Sequence, residues 1–502
     1  MEKTKEEAKT TSKADSKEKA ASASNESGFE RVFKLKQNGT TIRTEIIAGL
    51  TTFMTMAYII ALNPNLLTGF GAEGQELWNG VFLATCIASA IGTICMAFLA
   101  NKPFVMAPGM GLNSFFALVV SNIVTMTGMT YLRSFQSALV IVFIEGLIFI
   151  ALSILNVREK IVEAIPLGVR LGIGPAIGLM LMNIGFGSNA GVYSDKGGPF
   201  YGMRDFFGAL TADAARDNIG DGYNMMILIV ATMFIGLFAI VALNHKKVKG
   251  SVLYGMLISS VIYWAGEAVF FDTNPFESLK SASFVPPFKD MVDTTLFKLD
   301  FKGFSEIGWF TIITLIVTFC IIDMFDTIGT LVGTASRAKM LDKDGNMPKM
   351  KEALLSDAIG TVTGSVTGTS TVTTFVESAS GVEAGGRTGL TALVTAIMFL
   401  LCMFIAPIAA IIPPAATSAA LIYVGILMLG NLKDVNFGDT AQLVPVGIML
   451  LAMPVSGSIG HGIGLALISF TAIKVFTGKA KDVSWLTYVL SMIFLVKFFV
   501  AF

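Results

Sequence analysis

From about residue 44 to residue 476 the chain repeats one pattern: apolar runs separated by short polar joints, each run near the ~20 residues a helix needs to cross a bilayer. The pattern predicts membrane helices over 44–62, 80–100, 135–155, 171–186, 225–243, 251–269, 309–332, 353–368, 390–412, 417–429, 444–455 and 459–476. A last apolar stretch, 485–502, either spans or lies at the interface. Ahead of the first helix, residues 28–43 read as an amphipathic lead-in, with Phe29, Val32, Phe33 and Leu35 forming a face for the membrane surface.

Two stretches break the pattern. Residues 361–388, TVTGSVTGTSTVTTFVESASGVEAGGRT, contain almost no Leu, Ile or Met and reach a carboxylate at Glu377. Thr and Val favour extended backbone, Gly permits close approach, and a carboxylate at membrane depth is expensive unless it faces protein or a water-filled cavity. The reading is a broken element: a short strand to about Phe375, then a half-helix whose start presents Glu377 and free backbone N–H groups to a ligand. Residues 101–120, NKPFVMAPGMGLNSFFALVV, share this texture, with Pro103, Pro108, Gly109, Gly111 and Asn113 ahead of an apolar run.

Composition agrees with a polytopic membrane protein, all α apart from the two short strands. Of 502 residues, 53% are hydrophobic and 14% charged, and the mean hydropathy is +0.70, beyond what soluble globular chains show. Net charge is zero, which removes the electrostatic case for a nucleic-acid partner. The 50 Gly and 15 Pro suit tightly packed, interrupted helices. Cys86, Cys95, Cys320 and Cys402 sit singly in apolar runs and read as small buried hydrophobes. Two histidines in the whole chain leave little for His-based metal or hydrolase chemistry, and no metal or cofactor is expected. Residues 1–28, charged and rich in Ser, Ala and Lys, read as a disordered tail without a cleavable signal. Lys and Arg gather in that tail, at 158–170, 245–249, 337–351 and 474–481, whereas the joints at 63–79 and 411–416 have none. By the positive-inside rule the N-terminus is cytoplasmic.

Three echoes suggest an internal repeat. TTFMTMAYII in the first span resembles VTFCIIDMFD in the eighth, a broken segment comes third in each half, and KGSVLYGMLISS (249–260) resembles SGSIGHGIGLAL (456–467). Two halves of seven segments insert with opposite orientation. The expected organisation is a first repeat over 29–270, a polar extracytoplasmic connection over 271–307, a second repeat over 308–478 and a C-terminal apolar segment over 479–502.

The candidate chemistry is acidic. Asp323 and Asp326 are three apart on one apolar helix and so on nearly one face. Such carboxylates either face a site or cap and pair locally. With Glu377, and with Asn113 offering both donor and acceptor, they suit a small, neutral, planar, hydrogen-bonding solute. The alternative for Asn113 is an amide that satisfies backbone beside Gly109 and Gly111. Phe53, Phe115, Phe319, Phe325 and Phe375 could stack on a planar ligand or simply pack. Glu383, ahead of Gly385 and Gly386, fits a cytoplasmic helix end. DKDGN (342–346) lacks the acidic twelfth position of a calcium loop, and GIGPAIG (172–178) lacks the strand that a dinucleotide fingerprint needs.

The combination of TEIIAGLTTFMTMAYIIALNP, VMAPGMGLNSFFA, DMFDTIGTLVGTASRA and GTSTVTTFVESASGVEAGGRTGL resembles the AzgA-like branch of the nucleobase–cation symporter 2 family, the adenine/guanine/hypoxanthine permeases. The likeness runs from about Gly28 to about Gly478. It implies about fourteen membrane segments in two inverted repeats, a core and a gate domain, and short strands in the third and tenth segments with the nucleobase between them. It also implies proton-coupled purine import at the cell membrane and pairing into homodimers. It places Asp326 and Glu377 where the family has acidic substrate ligands and Asn113 in the third-segment motif; the full candidate substrate-binding set is Glu377, Asp326, Asn113, Gly111, Phe375 and Ser378, with Asp323 or Asp326 as the candidate for coupling the proton. Related uracil and xanthine carriers have a His one turn after the acid of the eighth segment, where this chain has Thr330. Two other readings compete. An anion carrier on the same architecture would need Arg or Lys at the site, and the nearest base is Arg387. An intramembrane aspartyl protease would need Asp323 and Asp326 to flank a bond from opposite sides.

Overall fold

The structure, a computed structural model, describes residues 28–69, 74–155, 165–189, 222–337, 339–340, 347–456 and 459–500. The tail up to residue 27, DKDGN and most of the connection at 187–223 lie outside the described residues. The first half comprises α1 (Gly28–Phe33), α2 (Ile42–Met56), α3 (Ile59–Leu67), α4 (Trp78–Cys95), strand β1 (Met106–Pro108), α5 (Met110–Thr127), α6 (Tyr131–Ile154), α7 (Leu167–Ile184), α8 (Gly222–His245) and α9 (Ser251–Phe270). Two short helices, α10 (Phe288–Thr294) and α11 (Phe301–Glu306), interrupt the polar connection. There follow α12 (Trp309–Arg337), α13 (Met350–Thr367), strand β2 (Val372–Thr374), α14 (Ser378–Glu383), α15 (Gly389–Cys402), α16 (Ala406–Ala410), α17 (Pro414–Met428), α18 (Thr440–Ser456), α19 (Ile459–Phe476) and α20 (Trp485–Val500).

Among the described residues, 11 helical stretches are long and apolar enough to cross a membrane, and the chain is a multi-pass membrane protein. Thr440–Ser456 and Trp485–Val496 are apolar but shorter. The helix α13, which carries Lys351, Glu352 and Asp357, does not meet the same test.

Helix packing falls into two groups. One joins α2, α4, α6, α13 and α15, with β1, β2 and α14 inside it. The other joins α7, α8, α9, α17, α18 and α19. The helices α5 and α12 touch both, and α9 also meets α2.

Two expectations change. Residues 361–367, which fall both in the helix expected over 353–368 and in the stretch expected to run extended to about Phe375, are the last turns of α13. Their threonines bond back into the helix, Thr363 Oγ1 to Ile359 O (2.8 Å) and Thr367 Oγ1 to Thr363 O (2.8 Å), and the packed helices α4 and α6 on either side override β propensity. Gly368 ends α13 at φ 109°, a conformation side chains rarely adopt. The lead-in differs too: Phe33 and Leu35 are buried in protein against Ala97 and Leu390, leaving only Phe29 and Val32 exposed. The polar connection over 271–307 is tied to the first helix group. Arg133 pairs with Asp300 (2.9 Å) and Glu306 (3.0 Å), Asn79 Nδ2 donates to Asp290 (2.6 Å), and Phe297 N donates to Val366 O (2.8 Å).

Candidate functional site

The site is built where the two broken segments meet. After Ala100 the chain leaves the second segment through Asn101 in the left-handed region (φ 51°). Pro103 and Pro108 cannot donate into a helix, so the backbone runs extended to β1. The strands β1 and β2 pair antiparallel, Met106 opposite Thr374, Ala107 opposite Thr373 and Pro108 opposite Val372. Gly109 N to Thr371 O (3.1 Å) and Phe375 N to Val105 O (2.9 Å) extend the pairing at both ends, and Thr93 Oγ1 holds the Met106 amide at 3.0 Å. Gly109 is required here because a Cβ would sit 2.6 Å from Thr373 Cγ2.

Two of the expected ligands converge at this crossing. Glu377 precedes α14 and is half-buried. It accepts a 2.7 Å hydrogen bond at Oε1 from the hydroxyl of Tyr58, which lies at the break between α2 and α3. Asp326, also half-buried on α12, has Oδ2 3.5 Å from the Cβ position of Gly109 and lies within electrostatic reach of Asp357 and Glu377. Neither Asp326 nor Glu377 has an ion-pair partner among the described residues.

The remaining candidates are occupied. Asn113 is fully buried. Its Nδ2 donates to Asn63 Oδ1 (2.7 Å) and Pro108 O (3.1 Å), and its Oδ1 accepts from Ser370. Asn63 in turn donates to Thr85 (2.8 Å) and Thr369 (2.9 Å). The amide therefore bridges the two broken segments and satisfies one backbone carbonyl, Pro108 O. Ser378 is buried as well, its Oγ accepting from Val105 N at 3.0 Å. Gly111 serves close packing, since a Cβ there would lie 2.8 Å from Ile177 Cγ2 of α7. Phe375 is buried, and Phe115 and Phe319 pair at 4.6 Å. The expected free N–H groups at the start of α14 are satisfied locally: Ser378 N bonds Phe375 O (3.1 Å), Ala379 N bonds Val376 O (3.0 Å) and Ser380 N bonds Glu377 O (2.9 Å). A six-residue helix begun by such tight turns offers the ligand its Glu377 side chain rather than its amides.

Replacing Asn113 by Ala is expected to destabilise the purified protein by about 2 kcal/mol, because Asn63 and Ser370 lose a buried partner. Thermal unfolding in detergent measures this. A variant that keeps its stability but loses ligand affinity would return Asn113 to the binding set.

Asp323 lies behind the crossing, fully buried. Thr327 Oγ1 stands 3.0 Å from Asp323 Oδ1, 2.9 Å from Asp357 Oδ1 and 2.6 Å from Thr373 Oγ1. Sequence reasoning passed over Asp357, which sits in the charged opening of α13, and Tyr58, one aromatic among the apolar residues of MAYII. It also passed over Glu145, to which Thr371 donates at 3.0 Å. Their only signal was a polar atom inside an apolar run. Arg387 is occupied at the other end of α14, where Nη1 donates to Val382 O and Gly386 O, both at 2.7 Å.

Comparison with known proteins places this geometry. The family profile described as "Permease family" matches residues 43–459. The adenine permease AdeP of Escherichia coli is 36% identical over 93% of this chain and 95% of its own length. The guanine/hypoxanthine permease PbuO of Bacillus subtilis is 35% identical over 93% of this chain and all of its own (100%). Among solved structures, the transmembrane domain of a cyanobacterial bicarbonate transporter, BicA, superposes with TM-score 0.57 at 15% identity, covering 84% of this chain and 97% of that one. At that identity the likeness is one of fold.

Proposed function

Because this chain belongs to the Permease family and so is a transporter and not an enzyme, we propose that it imports purine nucleobases, as its adenine and guanine/hypoxanthine relatives are named to do. The observation that carries the reading is the pair of half-buried carboxylates, Glu377 and Asp326, at the β1–β2 crossing without a basic partner among the described residues. A carboxylate accepts N–H groups from the edge of a neutral heterocycle and repels an anion. The anion reading also lacks its cation, since Arg387 caps α14.

The proposed mechanism keeps Glu377 and Asp326 as acceptors for purine N–H groups. The helices around the crossing act as the core, and the group built on α7, α8, α9, α17, α18 and α19 acts as the gate. Movement of one against the other gives alternating access in an inverted-repeat chain of fourteen segments, with the first repeat over 29–270 and the second over 308–478. The antiparallel meeting of β1 and β2, one from each half, supports that symmetry. The chain would sit in the cell membrane with a cytoplasmic N-terminus, as a homodimer.

Proton coupling is supported by the hydrogen-bond inventory around Thr327. A hydroxyl donates one proton, yet Thr327 approaches two carboxylates and Thr373. If Thr373 donates to Thr327 and Thr327 to one carboxylate, the contact to the other needs a proton on Asp323 or Asp357. One proton moving inward with each purine would occupy this acidic group or Asp326.

The test is uptake of labelled hypoxanthine in cells without other purine carriers. Unlabelled adenine or guanine should compete, uracil and bicarbonate should not, and a protonophore should collapse accumulation. Uptake inhibited by bicarbonate but by no purine would overturn the substrate, and sodium-dependent uptake that ignores the protonophore would overturn the coupling.

A further inference from the structure

The first membrane segment is broken at Ala57 and Tyr58. The helix α2 closes with Ala57 N on Phe53 O (2.8 Å), and α3 opens with Ile60 N on Ala57 O (3.2 Å) and Leu62 N on Tyr58 O (3.0 Å). The break brings the Tyr58 ring to the strand crossing, where the residue is 1% exposed. A buried phenol seeks a partner for its hydroxyl, and here the partner is Glu377 Oε1 at 2.7 Å, 319 positions away. The phenol has one proton to donate, and a carboxylate has about four lone-pair sites, so this bond occupies one site on Oε1 and leaves Oε2 unengaged by Tyr58.

We propose that Tyr58 is a positioning residue for substrate recognition: its hydroxyl holds the Glu377 carboxylate in one plane, with Oε2 turned to accept a ring N–H of the purine. The inference rests on the reading of Glu377 as a ligand. The terminal torsion of a glutamate is broad and two-fold, so an unheld carboxylate samples many planes and must be ordered by the ligand. A carboxylate held in advance avoids that ordering cost on binding. A charge-assisted bond from a neutral donor is also among the stronger hydrogen bonds. Ring packing alone would fill the same volume without the hydroxyl. Tyr58 therefore acts on affinity and not on the movement of the core.

The variant Tyr58→Phe keeps the ring and removes the donor. In cells expressing equal amounts of protein at the membrane, KM for hypoxanthine uptake is expected to rise about 10-fold, with the maximal rate within about twofold, the signature of lost uniform binding. The Glu377→Asp background supplies the control, because a carboxylate shorter by one methylene is withdrawn from the hydroxyl. There, adding Tyr58→Phe should change KM by less than about twofold. An unchanged KM in Tyr58→Phe, or an equal rise in both backgrounds, overturns the positioning role. If Glu377→Gln transports normally, the reading of Glu377 itself falls. If Glu377→Gln is inactive while Tyr58→Phe keeps the parental KM, only the role of Tyr58 falls.

Discussion

Glu377→Gln should reduce purine uptake by about 10- to 100-fold, since the lost hydrogen bond to a charged acceptor contributes roughly 1.5–3 kcal/mol and every 1.4 kcal/mol is tenfold. The substitution preserves shape. Gln can still accept from the Tyr58 hydroxyl through its one carbonyl oxygen, so the contact at Oε1 survives. The other terminal atom becomes an NH2 donor, which would face the purine N–H instead of accepting it. The strand pairing at β1–β2 and the Ser378 bond to Val105 do not involve this side chain, so membrane abundance should stay at the parental level. Initial-rate uptake of labelled hypoxanthine, normalised to protein in the membrane, is the measurement. Transport at the parental rate would remove the central claim about the site.

The second large effect concerns stability and a carboxylate far from the ligand. Glu45, on α2, is fully buried and holds the start of α15. It accepts from Arg387 N (2.8 Å), Thr388 N (3.3 Å), Thr391 N (3.1 Å) and Thr391 Oγ1 (2.6 Å). The first N–H groups of any helix lack intrahelical partners, and an anion beside them is further favoured by the helix dipole. Glu45→Ala leaves Arg387 N and Thr388 N without an acceptor, each at about 1–3 kcal/mol, and Thr391 with only its weaker backbone partners, so a loss of roughly 4 kcal/mol is expected. Glu45→Gln, which keeps one acceptor oxygen, should lose less. Thermal unfolding of the purified protein in detergent reads both. Since Glu45 lies outside the proposed site, KM in the surviving Glu45→Gln protein should match the parental value, and a Glu45→Ala protein as stable as the parent would contradict the capping role.

Much of the architecture was legible because its causes are local. Glu377 stood out because a carboxylate in an apolar run is costly wherever the chain goes. The break at 101–109 stood out because Pro103 and Pro108 cannot continue a helix. The break in the other half was legible in outline: the apolar pattern predicts a helix over 353–368, and residues 361–367 finish α13 against α4 and α6 despite their Thr and Val. Asn113 and Ser378 were legible as polar residues in the right segments, but not as to which way they face. Their partners, Asn63, Ser370 and Val105, belong to other segments. Glu45 and Asp357 were overlooked because a charge near the end of an apolar run is ordinary until a neighbour buries it; Glu145, in the middle of its run, was passed over although its cost at that depth is the same signal that marked Glu377.

The sequence alone determined that this is a membrane protein, where its broken segments lie and that carboxylates sit inside its apolar runs. Each of those follows from the cost of placing a charge, a proline or an extended backbone in an apolar medium, a cost carried by the residue itself. Only the tertiary structure decided which polar atoms satisfy one another. Tyr58 meets Glu377 across 319 positions, and Glu45 meets Thr391 across 346. A buried hydrogen bond depends on a partner within about 3 Å, and sequence distance carries no information about that.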